Sequence, residues 1–433
     1  MNSSNVSLKI PSVLSILSPI NFSQVPGQLI FLFNNFPLDE LQGIAPIIQD
    51  GIFAMVGQLP SVYQDFKIDP SQYLDLGAVL KYLENASGDL NLSKRIPVLI
   101  HKWIGVFDWN AKVQIVQNIV QITQSLQNHV VRYECCMCIK VILKNEQGMN
   151  LDFAALSETL LPIVIDLLGR FKNPQAVWGL LELLKALFTN AQYSTQNDNV
   201  IAQIQSQNIL ALTKSDDLFL IQALVDMFKT VIASFPFGTV LTSLFTICIE
   251  FIDYHLAMNR FKTTLDSLWL FLIREYNDAQ NVGDALQTLF SRYSGLFLNM
   301  SDLEEIGKFI NIIEEYILAG FITPDNYGDI IKIMEEKYAL TMEDDDIDET
   351  EYNLKSAILS LMSTLVLIIL NQGSVENLKI CNNLYKYLLN ELLKNAYDLE
   401  FKSFKAVKVS MITLLNRLII SDLNAFLGLL NGT

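Results

Sequence analysis

Residues 110–142 read NAKVQIVQNIVQITQSLQNHVVRYECCMCIKVI, and this stretch decides the fold class. Val113, Val116, Ile119 and Val120 recur at steps of three and four, so they line one face of a helix. Asn110, just ahead of that stripe, is a candidate N-cap. Val131, Cys135, Cys138, Ile139 and Ile142 then form a second stripe of the same period. Two amphipathic helices in immediate succession are the local unit.

The same reading extends along the chain. It predicts helices over 151–170, 174–190, 198–212, 215–234, 237–255 and 262–276. Further helices are expected over 301–318, 324–339, 352–371, 374–396 and 401–420. Breakers punctuate them at Asn173-Pro174, Phe235-Pro236-Phe237-Gly238, Thr323-Pro324-Asp325 and Gln372-Gly373-Ser374. No Asn-Gly or Asp-Gly hairpin lies between alternating residues, so strand signals are nearly absent. A helix-turn-helix unit of about forty residues is the arithmetic of HEAT-type arrays, and the chain holds about ten such units. The expectation is an all-α, HEAT-repeat α-solenoid spanning residues 1–433 as a single continuous stack, whose pairs bury their apolar faces on one another.

Composition agrees. Of 433 residues, 51% are hydrophobic and 18% charged, which excludes a disordered chain. Thirty Lys and Arg face 46 Asp and Glu, a net charge of −16, so nucleic acid is not expected as a partner. The charge is localised. Residues 302–351 hold sixteen acids against Lys308, Lys332 and Lys337, a net −13. At its end, residues 341–351 read as an acidic loop carrying Glu343, Asp344, Asp345, Asp346, Asp348, Glu349 and Glu351. Such a field suits basic protein segments.

The five cysteines include three within four residues, Cys135, Cys136 and Cys138, which is not the spread of an oxidised framework. The Asn-X-Ser triplets at Asn85, Asn91 and Asn299 read as chance matches in an Asn- and Ser-rich chain. Lys9 precedes a short apolar run broken by Pro11 and Pro19, a poor signal peptide. Residues 230–249 and 356–375 run without charge and are long enough to span a bilayer. Internal Pro, Gly, Ser and Thr favour inner helices covered by their neighbours instead.

Nothing points to catalysis. His101, His129 and His255 have no metal-ligand spacing, and there is neither a phosphate loop nor a nucleophile elbow. The cysteine cluster lacks the second ligand pair that zinc requires, so buried helix positions explain it better. The acidic run lacks the Gly and spaced Glu of an EF-hand. Trp103, Trp109, Trp178 and Trp269 lie on helical stripes and read as packing. Lys379, Lys386, Lys394, Lys402, Lys405, Lys408 and Arg417 make a mildly basic late segment, most simply a solvated face. No enzyme and no cofactor is expected.

Between residues 47 and 190 the order of motifs resembles a known family. IQDGIFAMVG at 48–57 precedes YQDF at 63–66; KRIPVLIHKW follows at 94–103, NHVVRYE at 128–134, then a long apolar helix pair from Leu156. This order is similar to the middle of importin-β superfamily karyopherins, most of all the importin-eleven type. There a basic helix ending in Trp is followed by a helix containing Val-Val-Arg. The resemblance implies a nuclear transport receptor whose inner face holds cargo. It further implies outer grooves that take Phe-Gly nucleoporin repeats and N-terminal repeats that bind the GTPase Ran. It also implies that the sequence begins midway along such a solenoid, as the C-terminal half of a longer receptor. An Asp-Arg polar ladder links neighbouring units in such repeats; Arg132 matches the Arg, whereas Asn128 stands where Asp is usual.

The expected function is thus a monomeric import-receptor fragment that shuttles between cytoplasm and nucleus, its acidic loop meeting basic cargo. A scaffold of the same fold that touches neither Ran nor nucleoporins is the alternative. A protein spanning a membrane through 230–249 and 356–375 is a further rival.

Overall fold

The computed structural model describes residues 80, 90–105, 108–145, 151–190, 198–235, 239–275, 280–298, 300–339 and 349–372, with 412, 416 and 427. Every regular element among the described residues is a helix, so the fold is all-α. The chain divides into two compact units, Met1–Pro236 and Phe237–Thr433.

The first unit contains α1 (Leu90–Trp103), α2 (Trp109–Ser125), α3 (His129–Asn145), α4 (Phe153–Arg170), α5 (Pro174–Asn190), α6 (Asp198–Ile204), α7 (Gln207–Leu212) and α8 (Leu218–Ser234). Helices α1, α3, α5 and α8 pack in succession as one row, while α2, α4, α6 and α7 cover it as a second. Helix α5 touches α3, α4 and α8, which is why Leu180, Leu181, Leu183, Leu184 and Leu187 are all buried on it. A helix walled on three sides is apolar nearly all round. Each such leucine contributes about 1.5–3 kcal/mol relative to an exposed position.

Local chemistry sets the helix ends. Asp108, not Asn110, caps α2: its carboxylate accepts the Ala111 amide at 2.8 Å. Asn128 caps α3 by accepting the Val130 amide at 2.9 Å, and Asn173 accepts from Gln175 just ahead of Pro174 at the start of α5. The single helix expected over 198–212 is divided into α6 and α7. At the step, Asn208 donates to the Ile165 carbonyl at 2.9 Å and lies over Gly169, where an added Cβ would come within 2.6 Å of the Asn208 amide nitrogen.

The second unit contains α9 (Thr239–Ala257), α10 (Lys262–Arg274), α11 (Gln280–Phe297), α12 (Leu303–Leu318), α13 (Tyr327–Ala339, entered through a 3-10 turn at Pro324–Asn326) and α14 (Glu349–Gln372). Helices α10, α12 and α14 form one row, and α9 packs on both α10 and α11. The charge-free stretch at 230–249 is not one helix, since α8 ends at Ser234 and α9 starts at Thr239. No helix among the described residues is long and apolar enough to cross a membrane. The helices expected over 374–396 and 401–420 lie outside the described residues, apart from Ile412 and Asn416, both helical.

Polar bridges join helices of the same row at a recurrent offset. In the first unit Lys144 pairs with Glu182, 38 positions on, and Lys185 with Asp226, 41 positions on. In the second, Arg292 pairs with Asp253 (39), Arg274 with Glu315 (41) and Lys262 with Glu305 (43).

Candidate functional site

The end of α12 carries the turn that shapes an aromatic groove of the second unit. Gly320 has φ +77, a conformation costly for any residue with a Cβ. The Phe321 amide then bonds the Tyr316 carbonyl at 2.9 Å, and the Gly320 amide bonds that of Ile317 at 3.1 Å. These two bonds, with the Phe321 and Tyr316 rings 5.3 Å apart, make a Schellman motif. Beyond the turn, α11, α12, the turn itself and α13 together line a groove of about 520 Å³.

Aromatic rings form its floor. Phe290 lies parallel to Phe309 at 6.0 Å and tilts over Tyr316 at 4.5 Å; Phe297 stacks on Phe309 at 5.0 Å. Tyr316 is fixed from below, since its hydroxyl donates to the Leu286 carbonyl at 2.7 Å and accepts from Trp269 Nε1 at 2.9 Å. Burial pushes the Tyr316 phenol well up, so it stays neutral. Around this floor, Gly295 has nothing within 4 Å of an added Cβ, Leu298 is 55% exposed, and Gln287, Asn326 and Asp329 add polar groups. Lys337 props the far side, donating to the Leu298 and Met300 carbonyls. The groove can hold an aromatic or aliphatic side chain of a partner, and Asp329 is the carboxylate among its lining residues.

The acidic residues singled out from the sequence are placed only in part. Glu343, Asp344, Asp345, Asp346 and Asp348 lie outside the described residues. Glu349 and Glu351 stand in the first turn of α14 instead of a loop; Glu349 is exposed and Glu351 is buried, at 8%. Acids suit that turn, because the helix dipole is positive there.

Cys135, Cys136 and Cys138 are all buried on α3, and burial pushes the Cys135 thiol up to about 12 and the other two up as well. Among the described residues no group of His, Cys, Asp or Glu could hold a metal ion. Trp103 and Trp269 are buried packing residues, whereas Trp178 is 39% exposed, with the Lys140 ammonium 5.3 Å above its ring. Arg132 does reach the following helix pair, 3.9 Å from Asp166 of α4, while also donating to the Gln124 carbonyl. The acid of that contact is therefore Asp166, and Asn128 serves as a cap.

No local sequence pattern marks the groove. Helix α11 is not among the helices the sequence predicts, since Gly283, Ser291, Ser294 and Gly295 dilute its stripe. Val282, Leu286, Leu289, Tyr293 and Phe297, spaced by three and four and all buried, were the available signal.

No family model matches the chain, and no curated protein matches it either.

Proposed function

We propose that the chain is a non-enzymatic, protein-binding α-solenoid of the nuclear transport receptor type. In this reading the groove between α11 and α13 takes the phenylalanine of a Phe-Gly nucleoporin repeat, and the acidic run at 343–351 meets basic cargo. The protein shuttles between cytoplasm and nucleus, and Ran acts through N-terminal repeats. The observation that carries the reading is the aromatic floor of Phe290, Phe309 and Tyr316 opening between successive helices. Row bridges at offsets of 38 to 43 support the underlying repeat of about forty residues.

The test is retention on immobilised Phe-Gly repeats. Wild type is retained, and Gly295→Phe, which fills the groove from a position with open space around it, is washed through. If wild type is not retained at all, the scaffold reading replaces this one.

A further inference from the structure

We propose that a second cavity of the second unit, beneath the α9–α10 turn, is a binding site for one basic side chain of a partner protein. It has a volume of about 340 Å³, and Trp269, Tyr293 and Phe309 wall it. It shares only Phe309 with the lining of the aromatic groove, and holds whether or not the transport reading does.

Most of the polar lining groups are already bonded. Lys262 donates to Glu305 at 2.9 Å, and Asp302 accepts the Glu305 amide as the cap of α12. The Tyr293 hydroxyl donates to the Asp253 carbonyl, and Trp269 Nε1 to Tyr316. Lys308, the other nearby cation, is held by Thr263 at 3.1 Å and by Glu304. Asp266 remains. No hydrogen bond or ion pair from the described residues reaches its carboxylate, although it lines the cavity. Burial, the largest cause, raises its pKa to about 7; Lys308 and Lys262 pull it down while Glu305 pushes it up. Asn259 and Ser301 line the same space. An ammonium or guanidinium entering there gains an ion pair with Asp266 and the faces of aromatic rings, the combination that holds cations in desolvated sites. Both nearby lysines are committed elsewhere, so the missing cation comes from outside.

Because the guest binds ionised Asp266, its affinity rises with pH across the region of that carboxyl. Saturation-transfer NMR on the full chain tests this with N-acetyl-arginine amide, N-acetyl-lysine amide and the neutral isostere N-acetyl-citrulline amide. The expected result is transfer to arginine or lysine and none to citrulline, with binding roughly five- to tenfold stronger at pH 8 than at pH 6 for a carboxyl titrating near 7. The stronger of the two cationic arms names the side chain. Asp266→Asn abolishes transfer, and so does Ser301→Trp, which blocks the mouth without touching the carboxylate. Glu349→Gln, on another helix, leaves it unchanged. Equal transfer to citrulline, or undiminished binding by Asp266→Asn or Ser301→Trp, overturns the proposal.

Discussion

Lys337 Nζ lies 3.1 Å from the Leu298 carbonyl and 2.9 Å from that of Met300, bridging α13 to the chain just past α11. The side chain is only 7% exposed, and its ammonium sits 5.5 Å over the Phe297 ring. It therefore ties α13 to the segment that leaves α11, satisfying the Leu298 and Met300 carbonyls just past the helix end.

Replacing Lys337 with Met keeps the packed stem and removes the donors. Two part-buried carbonyls then lose a charged partner, at a cost of about 1–3 kcal/mol. Chemical denaturation should show that loss without a change in slope. Phe-Gly retention should fall as well, because the bridge holds one wall of the groove against the other.

Tyr316 is a hinge of polar contacts in an aromatic cluster. Tyr316→Phe leaves its ring in place but strands Trp269 Nε1 and the Leu286 carbonyl, both previously bonded. Stranding buried groups costs more than deleting a matched pair, so about 2–4 kcal/mol is expected from two of them. Trp269→Phe in the Tyr316→Phe background should cost less than the two separate losses added together, which a double-mutant cycle reads directly.

How much of this was legible depended on length of pattern. The paired stripes of α2 and α3 extend over several turns with few interruptions, so their helices and their buried cysteines could be read directly. Helix α11 could not, because its apolar residues are separated by Ser and Gly that belong to the groove rim. The groove depends on contacts between residues some thirty to forty positions apart, such as Tyr316 with Leu286, and no local pattern encodes those. Asp108 was missed as a cap because Trp109, between it and Asn110, already belongs to the helix.

The thiols offer a check on packing. A buried thiol whose pKa stands near 12 carries almost no thiolate at pH 8, and thiolate is the reactive form. In the native protein Cys135, Cys136, Cys138 and Cys248 should resist an aromatic disulfide reagent, whereas all five cysteines of the chain react in denaturant. Rapid native labelling of peptides from α3 would refute the packing described for that row.

Asp266 gives stability a pH dependence whose sign is unusual for a carboxylate. Its pKa stands near 3.8 when unfolded and is raised to about 7 by burial in the fold. Between those values the native state holds a proton that the unfolded chain has released, so this group makes stability decline as pH rises through the window. The contribution is greatest below pH 4 and is lost above pH 7, opposite to a salt-bridged acid. Asp266→Asn removes it. The variant should therefore melt higher than wild type at pH 8, with the difference shrinking toward pH 5, measured as thermal midpoints at matched ionic strength. A difference that does not change with pH would mean that the carboxylate titrates normally in the fold.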